Sequence, residues 1–219
     1  MTPVFDLTNE SAGYRGATVL TGVTLRVTTG ERIALVGESG VGKSTLLRLL
    51  YGQCRDRASL IPQEFGLVQS LTVFHNVYMG QLHEHSLWRN FRNLLRPVQQ
   101  DVEAVRDVLD GLRLEDKLFS TVGELSGGQQ QRTAIGRALY HTGDIVLGDE
   151  PVSNVDEHQA RRILKILGER KKTCILAMHD RALALDFADR LIGLKGGQIV
   201  LDEPTAGMTP DDLDSLYVH

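Results

Sequence analysis

The sequence has few cysteines and no long apolar segment. Cys54 and Cys174 are its only two cysteines and lack the spacing of metal ligands, which favours two reduced thiols in a cytosolic protein over a disulfide framework or a zinc site. No apolar run approaches the roughly 20 residues that a membrane-spanning helix needs. The first ten residues include Asp6 and Glu10 and lack the apolar core of a signal peptide. We therefore expect neither a disulfide-stapled secreted domain nor an integral membrane protein.

Internal repeats and low-complexity segments are also absent, which predicts a single folded unit. The 219 residues are 42% hydrophobic and 24% charged, which suits one α/β domain with a sizeable core and room for an inserted subdomain. The formal net charge of −4 argues against nucleic acid as the main partner.

A glycine-rich loop gives the first functional signal. Residues 37–45 read GESGVGKST, which fits the pattern G-x-x-x-x-G-K-[ST] between an apolar run at Arg32–Val36 and a helix-forming run at 45–50. Glycines let backbone N–H groups curl around phosphates, and a helix N-terminus adds its dipole. Lys43 would supply charge to the β- and γ-phosphates, and the Ser44 hydroxyl would ligate Mg²⁺. The alternative, a glycine-rich turn without a ligand, does not explain the Lys-Ser pair. The predicted nucleotide contacts are Gly37, Glu38, Ser39, Gly40, Val41, Gly42, Lys43, Ser44 and Thr45.

A second glycine motif lies at residues 125–132, which read LSGGQQQR. Ser126 can cap the helix that follows, and Gly127 and Gly128 leave backbone N–H groups open in front of it. Glycine pairs alone would be equally consistent with an ordinary capped helix. Because the chain already has one phosphate-binding loop, we interpret this second anion site as serving the nucleotide of a second copy. The predicted residues are Leu125, Ser126, Gly127, Gly128 and Gln129.

With these two motifs, the chain resembles the ATP-binding cassette (ABC) ATPases over nearly its whole length. GESGVGKST resembles their Walker A motif and LSGGQQQR their signature motif, and residues 144–151 resemble Walker B. The remaining markers are Asp156 in the D-loop, Gln63 in the Q-loop, His179 as the switch histidine and Tyr14 as the aromatic residue that stacks on adenine. All seven markers occur in the order of the family.

The resemblance implies a role for each polar marker. Asp149 and Glu150 follow the apolar strand 145–147, and ligands bind at the carboxyl ends of such strands. Asp149 would contact Mg²⁺ together with Ser44 and Gln63, and Glu150 would be the general base for the attacking water. Gln63 would also reach that water and so take part in catalysis. His179 follows the apolar strand 173–178 and would bind the γ-phosphate and orient the water. A lone histidine is more often structural, but its position at a strand end favours the functional role.

A decoy of Walker B lies near the end of the chain, where residues 198–207 read QIVLDEPTAG. Six residues after Glu150 stands Asp156, whereas six residues after Glu203 stands Thr209. No signature motif lies just before Glu203. We therefore expect Asp202 and Glu203 to lie in a solvated turn after a hairpin strand that begins at 196–200.

The resemblance implies an α/β P-loop NTPase of the ABC-ATPase fold, with a RecA-like core, a trimmed antiparallel β-subdomain and a helical subdomain. We expect one domain over residues 1–219, with the β-subdomain and core at about 1–65 and 141–219 and the helical subdomain at about 66–140. The β-subdomain is expected to be trimmed because only about 20 residues separate Lys43 from Gln63, and residues 52–59 are too few for the usual hairpin. Gly148 stands where the family usually has an aliphatic residue before the Walker B aspartate, and we expect it to relieve crowding there.

Helices are predicted at 101–109, with Gly111 as a stop, and at 157–170. A short terminal helix at 210–219 is expected to pack through Leu213, Leu216 and Tyr217.

Residues 65–77 resemble ABC importer ATPases, and residues 79–81, 88–91 and 211–217 resemble the phosphonate-type importers in particular. One stretch in this region combines basic and aromatic residues: Trp88, Arg89, Phe91, Arg92 and Arg96. Such a stretch can bind RNA, but a solvated helix face, or part of a groove for a cytoplasmic helix of a membrane subunit, fits the resemblance better.

The family therefore implies the ATP-hydrolysing subunit of a transporter that uses ATP and Mg²⁺. Two copies, expected to be identical, would hold two ATP molecules between Walker A of one and the signature motif of the other. The partners would be separate permease subunits at the cytoplasmic face of the inner membrane and, for an importer, a substrate-binding protein, with no nucleic acid. The open alternatives are an exporter or lipoprotein-extraction ATPase, and a soluble ABC protein acting on nucleic acid or ribosomes. The soluble class usually needs two cassettes or a long coiled coil.

Overall fold

A six-stranded sheet lies at the centre of the computed structural model, which describes residues 3–14 and 16–217. Its strands, in spatial order, are β4 (Ala58–Ile61), β5 (Ile145–Asp149), β6 (Thr173–Ala177), β3 (Arg32–Val36), β7 (Arg190–Lys195) and β8 (Gln198–Pro204). The first five are parallel and β8 is antiparallel. The inner strands are apolar runs buried on both faces, as parallel sheets require. The loops after β3, β5 and β6 therefore lie at one edge of the sheet.

A two-stranded antiparallel sheet packs beside this core. It consists of β1 (Pro3–Tyr14) and β2 (Ala17–Thr28), and Thr21 N–H donates to Gly197 O at 3.0 Å. Along β2, residues alternate between exposed and buried, and the buried Leu20 and Leu25 pack in the same cluster as α1 (Lys43–Gln53). This alternation is typical of a sheet with one solvated face.

The chain passes from α1 to β4 with no strand between them in the described residues 43–61, in agreement with the expected loss of the hairpin. The elements from residue 73 to residue 140 are all helical: α2 (Val73–Tyr78), a 3-10 helix (Met79–Glu84), α3 (Leu87–Leu95), α4 (Gln99–Gly111), two short 3-10 turns and α5 (Gly127–Tyr140). Helix α4 buries Val102, Val105, Val108 and Leu109, and Gly111, the predicted stop, is its last residue. The division into subdomains at about 65 and 140 remains a proposal.

The remaining helices are α6 (Glu157–Arg170), which has the predicted bounds, α7 (Arg181–Phe187) and a 3-10 helix at Pro210–Leu216. Leu213 and Leu216 of the last helix are buried as predicted, whereas residues 218 and 219 lie outside the description. None of the helices in the described residues is long and apolar enough to cross a bilayer.

The prediction for Asp202 and Glu203 was wrong. They lie within β8 rather than in a turn, paired with Ile192 and Leu191 of β7. The hairpin turn is at Gly196 and Gly197, which have φ of 57° and 77°. Asp202 accepts hydrogen bonds from Arg190 Nε at 2.5 Å and Nη2 at 2.7 Å. This ion pair stabilises a strand that continues beyond its apolar residues, where the sequence analysis expected a turn.

Candidate functional site

The loop after β3 has a backbone that only glycine allows at two positions. Gly37 has a φ of 140°, and a Cβ there would lie 2.3 Å from the carbonyl oxygen of Leu194. Gly42 has a φ of 114°, and its Cβ would meet Leu20 Cδ2 at 2.6 Å. Gly42 is also the N-cap of α1 and caps it with no side-chain hydrogen bond. The first N–H groups of α1 therefore point into the loop as donors for an anion.

Lys43 occupies the centre of this loop. Its Nζ donates to Gly37 O at 2.7 Å and to Glu38 O at 2.9 Å, and the residue is only 5% exposed. Burial lowers the pKa of Lys43, while the charges of Glu150 and Asp149 oppose that shift. The ammonium group is thus held on backbone carbonyls at the place where phosphate oxygens could replace them.

The end of β5 carries two carboxylates toward the same edge. Asp149 is 7% exposed, and its charge acts on Lys43. Glu150 has a φ of 56°, a left-handed conformation that is uncommon outside glycine and often marks functional sites. Two hydrogen bonds hold this conformation: Glu150 N–H donates to Ala177 O at 3.1 Å, and the Glu150 carbonyl accepts from the Ser153 hydroxyl at 3.2 Å. Gly148 precedes these two residues, and a Cβ at that position would lie only 2.8 Å from Leu176 Cδ2. This agrees with the expectation that the glycine relieves crowding.

His179 contacts Glu150 directly. Its Nε2 lies 2.6 Å from Glu150 Oε1, and the Glu150 side chain is 17% exposed. A cavity of about 270 Å³ adjoins this pair and is lined in part by Ser153, Val155 and Asp180. The structure therefore brings together the two strand-end residues that the sequence predicted, in the geometry of a base with an orienting partner.

Ser126 begins α5 with a capping box. Its Oγ accepts from Gln129 N–H at 3.4 Å, and Gln129 Oε1 accepts from Ser126 N–H at 3.0 Å. Gln129 is therefore used within its own helix. Ser126 and Gly127 are exposed, and the capping box does not use the N–H groups of Gly127 and Gly128. Gly128 packs closely against the D-loop, residues 153–156. A Cβ at Gly128 would lie 3.1 Å from the carbonyl oxygen of Asn154.

Gln131 is a residue of the site that the sequence analysis did not identify. It is fully buried, its Nε2 donates to Glu150 O at 3.3 Å, and its Oε1 accepts from Asn154 N–H at 3.2 Å. Its spacing from the buried Ile135 placed it on the inner face of α5, where an amide needs polar partners. That spacing was the signal that could have revealed it.

Tyr217 is the second such residue, since packing alone was predicted for it. Its hydroxyl accepts a hydrogen bond from Gly37 N–H at 3.2 Å. The Arg181 guanidinium lies 4.3 Å from the centre of the Tyr217 ring and pairs with Asp214 at 2.5 Å. Arg181 is two residues beyond His179, so the terminal helix ties the loop after β3 to the segment after β6.

We expect Tyr217→Phe to raise the KM for the nucleotide about three- to tenfold and to leave kcat within about twofold. The change keeps the ring under Arg181 but leaves Gly37 N–H without its acceptor, a loss of about 1 kcal/mol or more in a loop that must be ordered for binding. Steady-state kinetics and the melting temperature should be measured together. The control is Tyr51→Phe, at the opposite end of α1 from the loop. An unchanged KM for Tyr217→Phe would show that the hydroxyl does not position the loop.

The structure relates the other predicted site residues less directly to Lys43 and Glu150. Gln63 is exposed in the turn after β4, and Asp156 caps α6 by accepting from Gln159 N–H at 2.9 Å. Tyr14 ends β1, but its side chain lies outside the described part of the structure. The hydroxyl of Ser44, the buried Asp149 carboxylate and the Gln63 amide are hard oxygen donors that suit Mg²⁺, which takes few protein ligands beside phosphates. The individual roles of these residues remain predictions.

Comparison with known proteins gives consistent results. The profile of the family described as ABC transporter matches residues 20–153. A phosphonates import ATP-binding protein, PhnC, of Pseudomonas fluorescens is 36% identical over 93% of this chain and 87% of that protein. The PhnC protein of Anaeromyxobacter dehalogenans is 35% identical over 98% of this chain, and the chain spans 48% of its length.

Solved structures show the same fold. A nucleotide-free ATP-binding cassette from an ABC transporter has a TM-score of 0.79 at 21% identity and covers all of both chains. A dimeric cassette in a post-hydrolysis state bound to ADP and phosphate has a TM-score of 0.77 at 26% identity, covering 93% of this chain and 99% of that one. The predicted ABC-ATPase fold class is thereby confirmed.

Proposed function

The chain belongs to the ABC transporter family, as its ATPase subunit, and we propose that it powers import of a phosphonate-like or related small solute through separate membrane subunits. The observation that carries the ATPase chemistry is the meeting of Lys43, Asp149, Glu150 and His179 at one sheet edge. The relatives named for phosphonate import support the substrate class and the direction.

Hydrolysis follows from the contacts of the site. Lys43 exchanges the carbonyls of Gly37 and Glu38 for phosphate oxygens when ATP enters the loop. Glu150 accepts a proton from the attacking water, and the contact with His179 fixes the direction of its carboxylate. Mg²⁺, held by Ser44, Asp149 and Gln63, would offset charge on the β- and γ-phosphates.

The proposed working unit is a head-to-tail homodimer. The exposed N-terminus of α5 has its cap residue satisfied internally and leaves the N–H groups of Gly127 and Gly128 for an anion outside the chain. A nucleotide bound to Walker A of a second copy is that anion in our proposal. The dimeric cassettes among the structural neighbours support this arrangement.

A groove beside the Q-loop is the proposed contact with the permease at the cytoplasmic face of the inner membrane. It has a volume of about 470 Å³ and is lined by Tyr51, Arg55, Pro62, Met79 and Gly80, among others. Pro62 directly precedes Gln63, so a permease helix in the groove would sense whether Gln63 is engaged with nucleotide. A substrate-binding protein on the far side of the membrane would complete an importer.

The test is a pull-down of the tagged Glu150→Gln chain from membranes of the source organism with ATP, with mass spectrometry of the associated proteins. We expect a multi-span permease, with a substrate-binding protein encoded beside it. Lys43→Ala is the control and is taken through the same pull-down. Addition of ATP should increase the amount of permease recovered with it less than with Glu150→Gln. A four-span partner with a large external domain would indicate export or lipoprotein extraction instead. Ribosomal or nucleic-acid proteins without a membrane partner would refute the transport function.

A further inference from the structure

A small cavity lies between the end of α4, α5 and α6, and half of its lining residues are basic. These are Arg113, Arg132, His158 and Arg162. The cavity has a volume of about 120 Å³, and at about 30 Å³ per water molecule it has room for roughly four waters. A single tetrahedral oxyanion fits this space, whereas ligands of nucleotide size occupy cavities of about 300 Å³ or more. We call it the arginine cavity.

The cations at the rim of the arginine cavity have no anionic partner in the described part of the chain. The guanidinium groups of Arg113 and Arg162 form neither a hydrogen bond nor an ion pair with residues 3–14 or 16–217, and no carboxylate there pairs with His158. Arg113 also has a φ of 51°, at the left-handed position after α4 that usually takes glycine. Like charges that line one cavity repel each other, and an anion among them turns that repulsion into attraction.

Arg132 is the half-buried cation of this cavity. Its Nη1 donates to Gln159 Oε1, a neutral acceptor, at 2.7 Å, and its Nε is buried without a hydrogen-bond partner in the described residues. Burial lowers the pKa of Arg132, and the charges of Asp116 and Asp156 offset only part of that effect. Both carboxylates are engaged elsewhere, because Asp116 pairs with Lys117 at 3.1 Å and Asp156 caps α6. The enclosed guanidinium therefore lacks a counterion of its own.

We propose that the arginine cavity binds a tetrahedral oxyanion, phosphate or a phosphonate, at a site separate from the nucleotide loop. The planar guanidinium group presents paired N–H donors that match two oxygens of such an anion. His158 adds a further donor when it is protonated. None of the residues that line the cavity belongs to the loop around Lys43. The site also does not depend on which solute the transporter carries, so it stands apart from the proposed function.

A short series of hydrogen bonds joins the arginine cavity to the D-loop. Arg132 bonds to Gln159, and Gln159 donates to Asp156 through Nε2 at 2.7 Å and through its N–H at 2.9 Å. The D-loop in turn is bonded to the carbonyl of Glu150 through the Ser153 hydroxyl. An anion that draws Arg132 into the cavity weakens its bond to Gln159 and releases one support of the D-loop. We therefore expect the bound anion to slow ATP hydrolysis.

Binding is tested by ³¹P NMR titration with inorganic phosphate and with methylphosphonate. The titrations use the full chain with Lys43→Ala, because the nucleotide loop of the wild type also binds phosphate. We expect one site with a Kd of about 1 mM or below for at least one of the two anions. Adding Arg113→Gln and Arg162→Gln together should weaken binding at least tenfold. Arg106→Gln is the matched control, because it removes the same charge from an exposed position on α4 outside the cavity, and it should leave binding unchanged.

The melting temperature separates loss of the site from loss of the fold. Because Arg113 and Arg162 bond to no other described residue, their double variant should melt at or above the temperature of its Lys43→Ala parent in anion-free buffer. Phosphate at about 20 mM should then raise the melting temperature of the parent more than that of the double variant. Sodium chloride at equal ionic strength should not separate the two chains, because screening acts on both.

The kinetic readout uses chains in which Lys43 is intact. At saturating ATP, the anion that binds should lower the kcat of the wild type at least twofold and leave the KM for ATP within twofold. The kcat of the Arg113→Gln and Arg162→Gln double variant should not respond. Product inhibition by phosphate at the nucleotide loop would instead raise the KM, and it would do so equally in both chains.

The outcomes are distinct. Tighter binding of phosphate would support the hydrolysis product as the ligand, and tighter binding of methylphosphonate would support an imported solute. Equal binding by the parent and the double variant, or equal loss with Arg106→Gln, would overturn the site. An unchanged wild-type kcat with the anion bound would overturn its link to the D-loop. Self-association that the double variant abolishes, without anion binding, would assign the cavity to an acidic side chain of a second copy and overturn the proposal.

Discussion

Glu150→Gln is expected to lower kcat for ATP by about 100- to 10,000-fold, the range typical of a lost general base, while ATP affinity stays within about threefold. The amide has the shape of the carboxylate and can keep the 2.6 Å contact with His179. It cannot accept a proton from water. Because the change also removes a negative charge close to the phosphates, it should not weaken binding.

The second consequence is a dimer that forms with ATP and persists. If two copies close around ATP and hydrolysis opens them, blocking hydrolysis traps the closed state. Single-turnover kinetics, equilibrium binding and sedimentation with ATP would measure the three quantities on one preparation.

The decoy of Walker B supplies the control. Glu203→Gln makes the same chemical change in the string LDEP, on the exposed strand β8. Its ATPase rate should match wild type. Normal turnover by Glu150→Gln, or loss of turnover by Glu203→Gln, would mean that the base has been assigned to the wrong carboxylate.

Lys43→Ala is expected to lower ATP affinity by about 100-fold or more. Removing one partner of a buried, hydrogen-bonded charge pair typically costs about 2–5 kcal/mol, and tenfold in affinity corresponds to about 1.4 kcal/mol. In this chain the phosphates would face Asp149 and Glu150 without the intervening cation, and both charges act on Lys43 in the resting state. Calorimetric titration with ATP measures the loss.

The same change removes the donor to Gly37 O and Glu38 O, so the melting temperature must be recorded beside the affinity. Lys165→Ala is the matched control, because this lysine is 77% exposed on α6 and makes only a weak pair with Glu169 at 3.9 Å. Unchanged ATP affinity in a folded Lys43→Ala chain would contradict the role of Lys43 in phosphate binding.

The parts of the site that could be predicted from the sequence are those encoded by local spacing. A strand, a glycine loop and a helix that begins at Lys43 form within a few residues of one another, so the pattern determines the geometry. The predicted range of α6, 157–170, also agrees with the structure, in which Asp156 caps the helix and one apolar face is buried. The loss of the hairpin followed from the short spacing between Lys43 and Gln63, compared with the family that the chain resembles.

The parts that could not be predicted depend on contacts between distant segments. The hydrogen bond from Gly37 to Tyr217 joins residues 180 positions apart, and no pattern near either residue encodes it. The strand through Asp202 depends on Arg190 of the neighbouring strand. The orientation of α3 is the clearest case, because periodicity reveals two faces, and Asp101 on the next helix determines which one is buried.

Gln131 has a mechanical consequence for the chain. One side-chain amide holds the carbonyl of Glu150 and the N–H of Asn154, and it is carried on the same helix as the exposed glycines of the signature motif. Any displacement of that helix toward a neighbouring molecule must either carry both backbone groups along or break two hydrogen bonds in the interior. The backbone of Glu150, with its left-handed φ, is therefore bonded to a helix whose N-terminus is exposed, and we expect a displacement of that helix to change the position of Glu150.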